Sequence, residues 1–199
     1  AIGMEEFREF LAGAKAIDTH FRETNGRANA PLLAAFADQY YARVRGCQTR
    51  AVFAYDERLA LLPDYLQQLE MESNGKSVTA SSDPVDGPTA PITWGGVGTD
   101  AQHAGFQLRH QVTHLVPVDF IASVAPGDDL DPAHHKILLT NCFAQGAALM
   151  KGGNMSADGK DPARAFAGDR PSTTFLLDDL DAATLGALIA FHEHRTFAN

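Results

Sequence analysis

Gln68 and Glu72 stand four residues apart in a stretch of helical periodicity that ends in Met71-Glu72-Ser73-Asn74-Gly75-Lys76, so both side chains leave one face near the helix's C-terminal end. Two such groups can touch one ligand. The free carbonyls of a last helical turn oppose a carboxylate and should raise the pKa of Glu72, while Lys76 beyond the Gly75 stop acts in the other direction. Where the carbonyls dominate, Glu72 becomes a proton acceptor near neutral pH. Thr99-Asp100-Ala101-Gln102 reads as a capping box, with His103 following in the first turn, where the positive dipole end lowers an imidazole pKa and favours its neutral, proton-exchanging form. A glutamate tuned up and a histidine tuned down, each at a helix end beside a loop, is one way to separate base and acid roles in a site. The plainer reading of the same residues is a solvated Glu72 and a His103 packed behind its capping box.

Other patterns imitate chemistry more weakly. Gly95-Gly96-Val97-Gly98, between a strand and a helix, approaches the dinucleotide fingerprint, but the position about 20 residues on that should hold a ribose-binding acid falls at the β-like run from Leu115. His110-Gln111-Val112-Thr113-His114 has zincin spacing with Gln111 where the base would be, so no metal site is expected. His134 and His135 are adjacent and point to different sides of their helix, and His192 and His194 sit in a last turn where cations complement the dipole; a structural role suits all of them. Ser172 has no G-x-S-x-G turn or neighbouring histidine to activate it. Cys47 and Cys142 have no CxxC spacing and read as reduced, buried thiols.

Positioning these residues requires alternating helices and strands. Met4 to His20 and Ala30 to Arg45 carry apolar residues at three- and four-residue spacing, the second bracketed by Asn29, Pro31 and Gly46. Arg50 to Ala54 leans to strand, and Asp56 is a fitting N-cap for a helix to about Ser73, with a kink or restart at Pro63 and a stop at Asn74-Gly75. Residues 81–90 form a loop, Pro91 to Trp94 a strand, and Thr99 to about His110 a helix. Leu115 to Ala122 is the most β-like run. Asp131-Pro132 opens a helix to about Lys151, a polar excursion follows, and Thr173 to Leu177 and Asp181 to Arg195 supply a last strand and helix. This alternation predicts a parallel sheet covered on both faces, with any ligand at the carboxyl ends of the strands.

Composition narrows the functional classes. The chain has 199 residues, 45% hydrophobic and 21% charged, which is enough for one well-buried core. A formal charge of −9 argues against sequence-independent binding to nucleic acid or an anionic membrane. The longest apolar runs are too short to span a bilayer, and the N-terminus lacks a basic segment followed by an apolar one, so a soluble cytoplasmic protein is expected.

Met71 to Lys76 (MESNGK), then GTDAQHAGFQ, VPVDF, HHKILLTNCFAQGAALMKG, GDRPST and LGALIAFHEH, in this order, closely resemble the glucose-6-phosphate isomerase family. The resemblance runs from about Ala1 to Phe197, and MESNGK and the GT-x-x-QHA segment are specific to that family. It implies an α/β fold, a three-layer αβα sandwich with a five-stranded parallel sheet, the second sugar-isomerase (SIS) domain of such enzymes. It implies aldose–ketose isomerisation of glucose 6-phosphate and fructose 6-phosphate without metal or organic cofactor. By the same resemblance, Glu72 is the general base that moves a proton between C2 and C1 through a cis-enediol(ate), His103 assists ring opening and Gln68 contacts the substrate. The family's histidine reaches the site from the partner subunit, so a homodimer is implied, with His103 serving the partner's site.

The departures carry their own expectation. Asp100-Ala101 replaces the Asn-Gly usual before the Gln-His pair, within a capping box that should preserve the loop. The family's earlier SIS domain, with a phosphate loop and an arginine, and its later tail, with a lysine and a further glutamine, have no counterpart in residues 1–199. These residues are therefore expected to be a single SIS domain, a fragment of a larger two-SIS-domain isomerase, folded but nearly inactive alone. The alternatives are a non-catalytic phosphosugar-binding SIS module, which would have no need of Glu72 and His103, and a dinucleotide binder resting on the glycines at 95–98.

Overall fold

The computed structural model describes residues 2–101, 114–127, 131–154 and 161–199. In chain order the described helices are α1 (Gly3–Glu23), α2 (Ala30–Gln39), α3 (Leu62–Asn74), α4 (Pro132–Lys151) and α5 (Ala182–Ala198). The strands are β1 (Thr49–Ala54), β2 (Ile92–Val97), β3 (Val118–Ser123), β4 (Gly153–Asn154), β5 (Ala165–Phe166) and β6 (Ser172–Leu177).

Four strands form one parallel sheet in the order β2-β1-β3-β6. The side-chain period of two divides each strand between two cores. Ala51, Phe53, Tyr55, Val118, Phe120 and Ala122 pack with Cys142 and Leu149 of α4 on one face. Val52, Ala54 and Ile121 pack with Leu62 and Leu66 of α3 and Leu188 of α5 on the other. Packing on both faces of the central strands β1 and β3 produces the three-layer sandwich. α1 lies outside the sheet layers, against α5. Gly13 and Gly186 make that close crossing possible, since a Cβ on either would fall within 2 Å of a backbone carbonyl oxygen on the facing helix, Ala183 or Phe10.

The count of five strands expected from the family resemblance is corrected to four among the described residues. The four are the same runs whose composition leans to strand. β4 and β5 pair antiparallel with each other and form a separate ribbon, so neither extends the parallel sheet.

Local chemistry sets the helix starts. Asn29, Asp131 and Asp181 each accept a backbone N–H of their first turn, from Leu32, Ala133 and Thr184 respectively. Asp56 accepts from Arg58 N–H and caps a 3-10 turn at Glu57–Leu59, after which α3 restarts with Pro63 in its first turn, the restart allowed for at that proline. α2 passes into a π-helical turn at Tyr40–Val44, so the segment ends at the expected residue with altered pitch.

Candidate active site

α3 runs antiparallel to the strands it covers, and its last turn therefore lies at their amino ends. Glu70 fixes this placement. It is 2% exposed, and its two oxygens accept from Arg50 in β1 and from the Thr93 hydroxyl in β2, each the second residue of its strand. Gln68 and Glu72, two positions to either side of Glu70, project from the opposite side of the helix and are exposed together. The pair expected from i, i+4 spacing is thus presented on one face. It stands at the amino ends of the strands, whereas the alternation of helices and strands favours a ligand at their carboxyl ends.

The end of α3 is held at several points. The Asn74 side-chain amide donates to the Thr196 carbonyl oxygen at 2.9 Å, joining the helix to α5. Gly75 N–H donates to the Met71 carbonyl at 3.1 Å, and a Cβ at residue 75 would lie 2.2 Å from that same oxygen. Lys76 does not project away. Its ammonium donates to the carbonyls of Glu72 at 2.6 Å and Ser73 at 2.8 Å, supplying the cation that a helix C-terminus favours. This is the opposing influence that the sequence assigned to Lys76, exerted directly on the carbonyls of the last turn.

Behind the last turn lies a buried ionic cluster that joins five elements. Arg50, 1% exposed, donates through Nη1 to Asp38 at 3.0 Å and through Nη2 to Glu70, with Nε 3.7 Å from Asp119. Arg195 engages Asp38 with both prongs, Nε to Oδ2 at 2.6 Å and Nη2 to Oδ1 at 2.7 Å, and reaches Asp119 through Nη1 at 2.7 Å. Burial pushes the Asp38 carboxyl up, but Arg195 and Arg50 outweigh it and hold the group below the usual carboxylate range. Burial likewise opposes the charge on Arg195, and Asp119 and Asp38 overcome it. His192, fully buried beside this cluster, has neither ring nitrogen in a hydrogen bond. Burial and the charges of Arg195 and Arg50 drive its pKa well below the ordinary histidine value. It is a neutral core residue set tilted against Phe175 and edge-on to Phe191, so the expectation that it serves as a helix-end cation is corrected.

The cluster was not singled out from the sequence. One signal was present, since Glu70 falls four residues after the buried Leu66, on the apolar stripe of its helix.

His103 lies outside the described residues, as do His110 and the rest of that motif up to Thr113. Residues 98–101 are described as a helical turn directly after β2, at the carboxyl end of the sheet. From Thr93, beside Glu70, the strand runs about 13 Å to Val97 at 3.3 Å per residue. Ala101 and Glu72 therefore occupy opposite ends of the domain.

The weaker motifs resolve as packing. A Cβ at Gly95 would fall 1.8 Å from the Val52 carbonyl oxygen, and one at Gly98 would enter the Tyr55 ring at 2.3 Å, so these glycines serve strand approach and core packing. His134 is exposed while His135 is buried, its Nε2 3.1 and 3.0 Å from the carbonyl oxygens of Ser123 and Val124. His194 pairs with Asp18 at 2.7 Å. Burial pushes the Cys142 thiol up to about 12 and raises that of Cys47, which leaves neither as a nucleophile near neutral pH. Among the described residues no cluster of histidine, cysteine and carboxylate side chains has metal-binding geometry, and no helix is long and apolar enough to cross a membrane.

The fold defines the class as a three-layer α/β domain built on a parallel sheet. A crystal structure of a glucose-6-phosphate isomerase from Chlamydia trachomatis superposes with a TM-score of 0.91 at 38% identity, over 98% of this chain and 38% of that one. A hypothetical protein from Thermus thermophilus shares the fold alone, with a TM-score of 0.66 at 20% identity over 96% of this chain. The family model for phosphoglucose isomerase matches residues 1–199, and the chain belongs to that family. The glucose-6-phosphate isomerase of Erythrobacter litoralis is 81% identical over 99% of this chain, and that of Novosphingobium aromaticivorans 69% identical over 100%. The chain spans 38% of the length of either relative.

Proposed function

We propose that these residues form the second SIS domain of a cytoplasmic glucose-6-phosphate isomerase, interconverting glucose 6-phosphate and fructose 6-phosphate. The observation that carries this reading is the exposed Gln68 and Glu72 pair on a helix end pinned from behind, in a chain that matches the isomerase family along its whole length. In the aldose-to-ketose direction the Glu72 carboxylate takes the proton from C2, and the C2–H electron pair forms the C1=C2 bond as the C1=O π pair moves onto O1 to give a cis-enediol(ate). As O2 passes its proton to O1 and becomes the carbonyl, the same carboxyl returns the carbon-bound proton to C1. Gln68, one helical turn earlier, contacts the substrate and keeps the sugar within reach of Glu72. His103 assists ring opening in the site of a partner subunit. The separation of Ala101 from Glu72 supports that division, because the two ends of one domain cannot meet across its own sheet. The phosphate is held by another part of a longer enzyme, the phosphate loop that the family resemblance places in an earlier SIS domain.

The test is Glu72→Gln in the full-length enzyme. Proton transfer should be lost, with kcat reduced by at least about a thousandfold, while sugar-phosphate binding changes little. Comparable losses in binding and turnover would assign Glu72 to positioning instead. Stabilisation by sugar phosphates with no turnover in the unsubstituted full-length protein would favour the non-catalytic binding module.

A further inference from the structure

We infer that Glu70, with Arg50 and Thr93, is the positioning device for Glu72, and that the Thr93 hydroxyl sets the rotation of α3 at which the base works. The inference rests on the reading of Glu72 as that base.

A helix end can be held in place by apolar packing alone, and apolar packing leaves rotation about the axis loosely fixed. At a radius of about 6 Å, a rotation of 10° carries a side-chain tip about 1 Å. Misplacement of a catalytic group by that amount can cost about a hundredfold in rate. Glu70 removes this freedom, because its two oxygens are tied to two different strands, Oε1 to Arg50 of β1 and Oε2 to Thr93 of β2. Arg50 in turn cannot swing, since its remaining prong is bound to Asp38 and its Nε faces Asp119. The sheet thereby dictates the azimuth of α3, and Glu72 leaves the helix on the side away from the anchor.

The choice of residue types argues the same way. Burying five charged side chains is costly, and a well-packed apolar cluster of the same volume is often as stable or more so. What the charged cluster adds is direction. Each bond has a geometry that only one orientation of the helix satisfies. Thr93 is the informative member, because it is fully buried, uncharged and engaged through a single hydroxyl to Glu70 Oε2, with no atom on the solvent side of α3.

The experiment compares Thr93→Val, Thr93→Ala and Thr93→Ser with Glu72→Gln in the full-length isomerase, with kcat expressed per folded protein. The expected result is a fall in kcat of about ten- to a hundredfold for Thr93→Val and Thr93→Ala, with KM within about twofold, and recovery in Thr93→Ser, which keeps the hydroxyl. A purely structural Thr93 would lower the melting temperature and the folded yield and leave kcat per folded protein unchanged; that outcome overturns the inference. Parallel changes in kcat and KM overturn it as well, since they mark a general disturbance of the site. Persistent turnover in Glu72→Gln would refute the base reading itself, whatever the Thr93 variants do.

Discussion

Glu70 and Glu72 leave the same turn of α3 in opposite directions, one buried between Arg50 and Thr93 and the other exposed beside Gln68. Two carboxylates of the same chemistry, two residues apart, are thereby assigned different work by their surroundings. The inward one is neutralised by a guanidinium and cannot exchange with solvent. The outward one keeps its oxygens free for a ligand, while its own backbone carbonyl is occupied by Lys76.

Gly75→Ala should damage the exposed pair from a distance. The added Cβ would lie 2.2 Å from the Met71 carbonyl oxygen, so the last turn must open and the Lys76 bonds to Glu72 and Ser73 must stretch. The expected cost is about 1–3 kcal/mol, read as a lower midpoint in urea, accompanied by a fall in kcat. An unchanged midpoint would mean that the turn relaxes without strain.

Arg195→Met removes the partner of both Asp38 and Asp119 and leaves Asp38 with Arg50 alone. Breaking a buried pair in this way should destabilise by about 3–5 kcal/mol. Replacing Asp38 by Asn in the same variant should recover part of the loss, because the uncompensated charge is then gone. Equilibrium unfolding of the single and double variants measures the difference, and additive losses would argue against coupling between the two.

The parallel sheet was legible in the sequence because its strands are short apolar runs set between helices with clear caps, and Asn29, Asp131 and Asp181 cap as their positions suggest. The Gln68 and Glu72 pair was legible for the same reason, since helical spacing alone puts both on one face. The ionic cluster was not. Its members, Asp38, Arg50, Glu70, Asp119 and Arg195, are spread over the chain, and only tertiary packing of five elements brings them together. The carboxyl-end rule describes ligands held by strand-end loops, and it does not bear on Glu72, which is carried by the far end of a crossover helix. His192 was misread because the expected helix stopped at Arg195, whereas α5 runs on to Ala198 and leaves His192 in its interior, facing the core.

Stability should fall with acid below about pH 6.5 through His192. Its pKa in the folded protein is depressed, so between the folded and the unfolded value the unfolded chain binds a proton that the folded one refuses. Each such proton removes stability at about 1.4 kcal/mol per pH unit as pH falls through that window. Above the unfolded value of about 6.5 both states are neutral and the contribution is flat. His192→Phe, which keeps a ring against Phe175 and Phe191, should flatten the dependence of the urea midpoint between about pH 6.5 and 5. The same slope in protein and variant would acquit the residue.

Cys142 should resist thiol reagents in the folded protein. It is 1% exposed, on the side of α4 that packs against the sheet core. With its pKa pushed up to about 12, only about one molecule in ten thousand carries a thiolate at pH 8. Labelling at pH 8 should therefore require unfolding and should follow the urea transition. Prompt labelling in buffer would contradict the burial.

Placement of Glu72 at the amino ends of the strands and of residues 98–101 at the carboxyl end predicts how two defective subunits behave together. If a working site takes Glu72 from one subunit and His103 from its partner, Glu72→Gln and His103→Asn homodimers are each inactive. Mixing them after dissociation gives heterodimers in which one site holds both defects and the other holds neither. With random pairing, half the dimers are mixed and half their sites are intact, so about a quarter of the unsubstituted activity should return. A site built within one chain would leave every site in the mixture with a defect, and no activity would return. The assay thus reads directly whether the distance across the sheet is bridged by a second copy of the protein.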